Sequence, residues 1–211
     1  MLRARYAVAT RPFPGEWENG DLVVVLTPID TPEERAETML FGLVDGAGHG
    51  PVAAQTAAAA QSELASHPSS SVSDALTAVH RALSGTRGAV AGLARVDLAR
   101  GTLEYGGVGN IECRVLHPEQ AGFHLISYNG LLGHTLPRPR TFNHSIAVGD
   151  MLVFHSDGVS GHWQPSRYPG LALEAPAMVA SLLLRDWGRH TDDATVLVVR
   201  FAAAEEEKVG A

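Results

Sequence analysis

The chain has 211 residues, of which 45% are hydrophobic and 18% charged, a composition typical of one folded domain and unlike that of a disordered chain. Its 16 basic and 23 acidic side chains give a net charge of −7, which argues against a protein that binds nucleic acid or an anionic membrane surface. Lys208 is the only lysine, which excludes P-loop phosphate binding, Schiff-base chemistry and a kinase-type ATP lysine.

The single cysteine and the lack of a long apolar run limit the location and the chemistry further. Cys113 alone cannot form an internal disulfide, a thiolate zinc site or an iron–sulfur cluster, and we expect a buried thiol. No stretch reaches the roughly 18 apolar residues of a membrane span, and the N-terminus lacks the apolar core of a secretory signal. These features predict a cytoplasmic protein with neither a membrane nor a nucleic acid as partner.

Short apolar runs predict strands at the start of the chain, at 3–10, 22–26 and 39–44. The turn-rich segment 27–35 suits a hairpin connection between the second and third of them. After residue 50, the residue pattern becomes typical of helices. An alanine-rich helix is predicted from Pro51 to about residue 66, and a second helix from about 73 to 83, capped by Ser71 or Ser73.

From residue 89, the apolar residues again follow the period of two that indicates strands. Further strands are predicted at 89–97, 102–107, 112–116, 123–127, 142–147 and 151–156, followed by a helix at 176–187 and a last strand at 194–201. This order predicts an α+β fold in which two mostly antiparallel sheets pack face to face with helices outside. We expect one domain over residues 1–201, and a solvated, disordered tail at 202–211.

The most specific local pattern is the run 43–51, LVDGAGHGP, in which a strand ends in Asp45 and a glycine-rich turn leads past His49 into a helix. A dinucleotide-binding loop would need a third glycine where Pro51 stands, and no βαβ unit follows. A structural alternative stays open for this segment taken alone: the glycines only allow the turn, and Asp45 caps the helix.

Aspartates stand at the ends of three other apolar strands, at Asp21, Asp157 and the pair Asp192–Asp193. A single aspartate in such a place is usually part of a turn, but four strand ends can converge at one edge of a sandwich. Crowded carboxylates stay ionised only when a cation neutralises them, so the pattern predicts a site for hard divalent cations. Oxygen ligands favour Mg²⁺ or Mn²⁺ over zinc, and Gly46 can turn its carbonyl oxygen toward such an ion.

Taken in order, four segments resemble the PP2C-type metal-dependent serine/threonine phosphatases. They are Asn19-Gly20-Asp21, Asp45-Gly46-Ala47-Gly48-His49-Gly50, Ser156-Asp157-Gly158 and Asp192-Asp193-Ala194-Thr195. The D-G-x-G-H-G run is most similar to the SpoIIE/RsbU/RsbX branch of this family. The short length and the run GVGNIE at 107–112 resemble its stand-alone RsbX type most, and the resemblance covers residues 5–201.

The resemblance implies an αββα four-layer sandwich that holds two Mn²⁺ or Mg²⁺ ions at one edge. Asp45 would bridge both ions, and Gly46 would offer its carbonyl oxygen to one of them. Asp157 and Asp192 would hold the other ion, and Asp21 would act through metal-bound water. Many family members carry an acid just before the residue that corresponds to Asp21, where this chain has glycine, so we expect the second ion to be held weakly or more through water.

The implied reaction is hydrolysis of phosphoserine or phosphothreonine on a partner protein by water activated between the two ions. The RsbX type implies phosphorylated STAS-domain proteins of the stressosome as substrates. Two alternatives remain open: an RsbU/SpoIIE-like phosphatase that acts on a phosphorylated anti-sigma-factor antagonist, and a catalytically weak pseudophosphatase that acts as a binding module.

Several residues around these motifs carry weaker predictions. His49 is a candidate to protonate the departing oxygen, or only a polar loop residue. Arg11, predicted in the loop before Asp21, would contact the substrate phosphate or be solvated. Asp193 is expected to lie behind the metal ligands rather than to bind the metal.

The neighbouring side chains have predicted structural roles. Ser156 and Thr195 are expected to orient carboxylates, and Asn110 to serve a tight turn. Trp163 is predicted to be half-buried on a loop beyond the metal edge, with contact to a protein substrate as the alternative. The basic spot at 138–140 is predicted to be ordinary surface rather than a docking site.

Overall fold

The computed structural model describes residues 1–27, 38–68, 70–136 and 138–204. These residues form eleven strands, three α-helices and two single-turn 3-10 helices. The strands are β1 (Leu2–Arg11), β2 (Asp21–Leu26), β3 (Thr38–Gly46), β4 (Ala89–Asp97), β5 (Thr102–Val108), β6 (Glu112–Leu116), β7 (Phe123–Leu125), β8 (Ser127–Tyr128), β9 (Phe142–Ser145), β10 (Met151–His155) and β11 (Ala194–Ala203). The helices are α1 (Gly50–Ser66), α2 (Val72–Ala82) and α3 (Pro176–Trp187).

Two parts of the prediction concern residues beyond this description. The predicted hairpin connection lies outside the described residues except for Thr27, and so does the predicted tail from residue 205 onward. The last strand continues to Ala203, where Ala202 and Ala203 pair with Arg3 and Leu2. The strand therefore ends two residues later than predicted. Among the described helices, none is both long and apolar enough to span a membrane.

The strands form two sheets. Sheet 1 has the order β1-β11-β10-β6-β7, and sheet 2 has the order β2-β3-β4-β5-β8, with β9 also paired to β5. Neighbouring strands run antiparallel, except that β8 lies parallel to β5. The mostly antiparallel pairing agrees with the prediction.

Three buried clusters hold four layers together. The core between the sheets contains Phe41, Tyr105, Phe154 and Phe201. A second cluster packs α1 and α2 on sheet 2, and a third packs α3 on sheet 1. Because alternate residues of a strand face opposite sides, β11 sends Leu197 to the core between the sheets and Val196 and Val198 toward α3. The layers are therefore helix, sheet, sheet and helix.

One predicted strand is divided between the two sheets. The single strand predicted at 123–127 is in fact β7 in sheet 1 and β8 in sheet 2, and Ile126 between them is 57% exposed. The chain crosses from one sheet to the other at this residue. Leu125 and Ile126 are consecutive apolar residues, so the alternation breaks at the crossing, but such a break does not indicate a change of sheet.

The antiparallel order brings the ends of several strands to one edge of the sandwich. Asp21 at the start of β2 pairs directly with Asp45 near the end of β3. The end of β10 lies beside the start of β11, so Asp157 and Asp192 follow and precede neighbouring strands. This shared edge is where the sequence predicted the carboxylates to meet.

The core between the sheets can be tested at Phe41, which is fully buried with its ring 6.5 Å from that of Phe201. We expect Phe41→Ala to lower the free energy of unfolding by about 3–5 kcal/mol because a large cavity would remain. Urea unfolding followed by circular dichroism measures this loss. The control Val148→Ala, at a 57% exposed position, should stay within about 0.5 kcal/mol of wild type. A loss below about 1 kcal/mol for Phe41→Ala would contradict the assigned core.

Candidate functional site

A cavity of about 380 Å³ opens at the edge where the strand ends meet. Asp45, Asp157 and Asp192 all line it, together with His49 and Asn110. The structure therefore brings three of the predicted carboxylates to one volume. Asp21 does not line this cavity: it is buried beside Asp45, its partner in the strand pairing.

Burial, and then the charge of neighbouring carboxylates, raises the pKa values of Asp45, Asp21 and Asp157. Burial raises the pKa of Asp45 to about 9, and the charges of Asp21, Asp157, Asp192 and Asp193 add to the effect. Burial likewise raises the pKa of Asp21 to about 7, although hydrogen bonds from Ser156 and Thr195 lower it in part. The pKa of Asp157 is raised by burial and then by the charge of Asp192. Each carboxylate is thus hard to ionise while the others are charged.

A hydrogen-bond network fixes Asp21. Ser156 Oγ donates to Asp21 Oδ2 at 2.6 Å and accepts from the backbone N–H of Thr195 at 3.1 Å. The Thr195 hydroxyl bonds to Thr10 at 2.7 Å, and Asn19 donates to Thr10 at 2.6 Å. Ser156 and Thr195 hold the Asp21 carboxylate in place in this way. Its other oxygen, Oδ1, is buried without a hydrogen-bond partner among the described residues.

Asp193 lies behind the cavity, and its side chain occupies the space that a side chain at Gly20, the residue before Asp21, would need. Its Oδ1 accepts from the backbone N–H of Phe13 at 2.8 Å, and burial raises its pKa. A Cβ on Gly20 would lie 2.8 Å from Asp193 Oδ2 and 2.9 Å from the Ala53 methyl group. Because this space is taken, the chain cannot carry an acid at position 20 without rearrangement.

The glycine-rich turn packs against the first helix. A Cβ on Gly46 would collide with the backbone oxygen of Ala53 in α1, so the close approach requires glycine. Gly46 also donates its N–H to the Gly20 carbonyl oxygen at 3.0 Å. Gly48 and Gly50 have φ values of +100° and +71°, in the left-handed region that favours glycine. The turn therefore fixes the backbone beside Asp45.

His49 projects from this turn and is held by two residues that the sequence analysis missed. Its ring stacks on Phe13, with centroids 4.2 Å apart and planes 13° from parallel. Its Nδ1 lies 3.0 Å from Glu16 Oε1. Phe13 and Glu16 belong to an irregular loop without a motif, so no sequence pattern pointed to them.

Asn110 was predicted to serve a tight turn, and the structure adds a contact with the site. Its Nδ2 donates to Asp157 Oδ2 at 2.7 Å. The preceding Gly109 has a φ of +92°, which provides the turn. In the sequence, Asn110 is visible only as a polar residue between Gly109 and Ile111. This pattern does not identify Asp157, which is distant in sequence, as its hydrogen-bond partner.

The predictions for Trp163 were wrong. Its side chain is fully buried rather than half-buried, and it is inaccessible to a protein substrate. Its indole N–H donates to His155 Nε2 at 3.1 Å, and the Arg114 guanidinium lies 4.1 Å from its ring centroid. Arg114 also donates to the Trp163 carbonyl oxygen at 2.7 Å. The buried cation–π contact and these hydrogen bonds fix the position of Trp163 and so of the segment that follows Asp157.

Arg11 is the last residue of β1 rather than part of the following loop. It is paired with Ala194, and its Nη2 donates to the Arg189 carbonyl oxygen at 2.5 Å. Arg11 does not line the cavity, so its predicted contact with a substrate phosphate stays a prediction. Cys113 is buried as expected, and burial raises the pKa of its thiol.

The donor atoms fit hard divalent cations bound partly through water. Within the described ranges, no group of three or more His, Cys, Asp or Glu side chains is close enough to hold an ion by itself. The three carboxylates nevertheless share one cavity, and the ionised forms of Asp45 and Asp157 are destabilised by burial and by neighbouring negative charge that a cation would neutralise. Mg²⁺ uses one or two carboxylates and keeps several waters, so this oxygen-only arrangement suits Mg²⁺ or Mn²⁺.

Comparison with solved structures defines the class of fold. The chain is similar to a chain in a structure described as "The bacterial stressosome: a modular system that has been adapted to control secondary messenger signaling", at 30% identity and a TM-score of 0.84, covering 94% of this chain and 100% of that one. It also resembles RsbX in complex with magnesium, at 18% identity and a TM-score of 0.80, covering 96% of this chain and 100% of that one. The predicted PP2C-like sandwich is confirmed.

Sequence comparison identifies the family. Residues 35–202 match the family described as Stage II sporulation protein E (SpoIIE). The chain belongs to the SpoIIE family of PP2C-type domains. It is 22% identical over 122 residues to phosphoserine phosphatase RsbX of Bacillus subtilis (strain 168), a match that spans 58% of this chain and 61% of that protein.

The raised pKa of Asp45 predicts how stability depends on pH without metal. A raised pKa means that the fold favours the protonated carboxyl, so this stability is complete below about pH 4 and is lost as the pH rises through 9. Asp45→Asn resembles the protonated form. In EDTA, we expect its melting temperature to rise relative to wild type by about 3 °C or more between pH 5 and pH 8.5. Differential scanning calorimetry at both pH values measures this change.

Glu119→Gln, in an exposed turn, serves as the charge-matched control and should show no such change between the two pH values. A difference for Asp45→Asn that stays constant or shrinks from pH 5 to pH 8.5 would contradict the raised pKa of Asp45.

Proposed function

We propose that the chain is a Mn²⁺- or Mg²⁺-dependent protein phosphatase that hydrolyses phosphoserine or phosphothreonine on a partner protein. The observation that carries this proposal is the convergence of Asp45, Asp157 and Asp192 on one cavity, where their mutual repulsion calls for a cation. Membership of the SpoIIE family supports it. The proposal includes a cytoplasmic location.

Asp45 would hold both cations, as the resemblance to the PP2C-type phosphatases implies, and it lines the cavity together with Asp157 and Asp192. Gly46 would add its carbonyl oxygen to one ion, and Asp157 and Asp192 would bind the other. Asp21 would act through water from its buried position beside Asp45. The magnesium bound to RsbX supports the choice of a divalent ion, and two ions, one of them weak, remain part of the proposal.

When bound, the cations would supply Lewis-acid chemistry, by lowering the pKa of water and offsetting charge on the phosphoryl oxygens. The protein residues have complementary roles. Asn110 orients Asp157 by donating to its Oδ2. The network through Ser156 keeps Asp21 fixed. His49, held by Phe13 and Glu16 at the cavity wall, would give a proton to the departing serine or threonine oxygen.

The proposed substrates are phosphorylated STAS-domain proteins of the stressosome. The similarity to RsbX and the 30% identity to a chain in a stressosome structure support this choice over an anti-sigma-factor antagonist. A pseudophosphatase is disfavoured because the whole predicted set of carboxylates is present, and three of its members line the same cavity.

Hydrolysis of p-nitrophenyl phosphate tests the metal-dependent reaction. We expect activity with Mn²⁺ that EDTA abolishes and excess Mn²⁺ restores. Asp45→Ala should lower kcat/KM at least about 100-fold, because metal ions contribute several kcal/mol and each 1.36 kcal/mol is tenfold in rate. Glu119→Ala removes an exposed carboxylate outside the cavity and should retain wild-type activity.

Activity that persists in EDTA would remove the metal mechanism. Binding of a phosphorylated STAS-domain protein without turnover under any metal condition would favour the pseudophosphatase instead.

The role of His49 can be separated from the metal site by varying the leaving group. p-Nitrophenolate departs without a proton, whereas a serine alkoxide needs one. We therefore expect His49→Gln to lower kcat on a phosphoserine peptide about 100-fold and kcat on p-nitrophenyl phosphate less than about threefold. Steady-state kinetics on both substrates measures the two effects. Equal losses on both substrates, or no loss, would contradict proton donation by His49.

A further inference from the structure

Trp17 is the most exposed large hydrophobic residue of the described chain, with 98% of its surface accessible. The other two tryptophans behave differently: Trp163 is fully buried, and Trp187 packs against the core around α3 and donates to the Tyr168 hydroxyl at 2.8 Å. An indole is the side chain most often found at the energetic centre of protein interfaces. Its full exposure here therefore points to a partner.

We name residues 12–20, between β1 and β2, the Trp17 loop. Both ends of this loop are attached to the candidate active site. Near its start, the backbone N–H of Phe13 donates to Asp193 Oδ1 at 2.8 Å, and the Phe13 ring stacks on His49. Glu16, the residue before Trp17, lies 3.0 Å from His49 Nδ1.

The other end of the loop is tied to the strand that begins with Asp21. Asn19 Oδ1 accepts from the backbone N–H of Asp21 at 2.7 Å, and Asn19 Nδ2 donates to Thr10 at 2.6 Å. The position of Trp17 is thus set by residues of the site itself. Because the backbone of the loop is already held, partner binding has mainly the Trp17 side chain left to order.

The size of the cavity indicates which part of a substrate reaches Trp17. About 380 Å³ admits a phosphorylated side chain but not the protein that carries it. The rest of a phosphoprotein must therefore lie on the rim, and Phe13 both lines the cavity and begins the Trp17 loop. The exposed Glu18 next to Trp17 adds a negative charge to this surface.

We propose that the Trp17 loop is the docking surface for the protein part of the phosphoprotein substrate, with Trp17 as its anchor. This inference rests on the proposed phosphatase function and adds the basis of substrate selection. The partner surface that fits is an apolar side chain with a basic residue beside it, next to the phosphorylated residue. The apolar group covers the indole, and the basic residue pairs with Glu18 or lies over the indole face.

Two substrates separate docking from chemistry. p-Nitrophenyl phosphate has no protein part, whereas a phosphorylated STAS-domain protein needs the rim. We expect Trp17→Ala to raise KM for the phosphorylated STAS-domain protein about tenfold and to leave its kcat unchanged. Hydrolysis of p-nitrophenyl phosphate should stay within about twofold of wild type.

Two control variants bracket the effect. Trp17→Phe keeps an aromatic surface and should retain most of the wild-type KM. Leu173→Ala removes a side chain that is 68% exposed elsewhere on the molecule and should change neither substrate. Equal KM values for Trp17→Ala and wild type on the STAS-domain protein would overturn the inference. So would an equal loss on both substrates, because that result would indicate a structural role.

Fluorescence gives a second measurement that is independent of turnover. In an Asp45→Asn background, addition of the phosphorylated STAS-domain protein should shift the tryptophan emission to the blue, and Trp17→Phe should remove that shift. Absence of a Trp17-dependent shift under saturating conditions would overturn the inference. If the wild type hydrolyses neither substrate with Mn²⁺, the proposed function itself fails. If it hydrolyses only p-nitrophenyl phosphate, the STAS assignment fails, and this inference fails with it.

Discussion

The repulsion between carboxylates that two β-sheets bring to one edge is the constraint on which the rest of the structure depends. Asp21 and Asp45 are direct neighbours in an antiparallel pairing, so the register of β2 and β3 places two acids side by side in a mostly dry environment. Removing them from water and bringing Asp157 close both oppose ionisation. A fold that retains such an arrangement trades stability in the metal-free state for affinity toward cations.

The sandwich makes this edge rigid. β11 is covered on one face by the core between the sheets and on the other by α3, so the strand that follows Asp192 and Asp193 has buried side chains on both faces. The close contact of Gly46 with α1 fixes the turn after Asp45 in the other sheet. The hydrogen bond from Ser156 Oγ to Asp21 then joins the two sheets, and the Thr195 N–H in turn donates to Ser156 Oγ. Rigid support of this kind allows ligands to converge from distant parts of the chain.

The sequence was sufficient for features that depend on local periodicity. The strands at 89–97 and 112–116 and the helix at 176–187 have the predicted bounds, because each is an apolar or periodic segment bounded by turn or loop residues. The meeting of Asp45, Asp157 and Asp192 was also predictable, since each stands beside an apolar strand in a recognisable motif. Contacts between irregular segments were not. The change of sheet at Ile126, the burial of Trp163 over Arg114, and the loop that sets Phe13 and Glu16 beside His49 depend on tertiary packing that leaves no period in the sequence.

Metal binding with simultaneous measurement of proton release tests the central claim most directly. The EDTA-treated protein can be titrated with Mn²⁺ at pH 7 in buffers of different ionisation enthalpy by isothermal titration calorimetry. Because the pKa of Asp45 is raised to about 9 and that of Asp21 to about 7, binding should release about one proton or more per protein, and Asp45→Asn should abolish most of the release. Binding of Mn²⁺ without proton release, or equal binding by Asp45→Asn, would contradict the account.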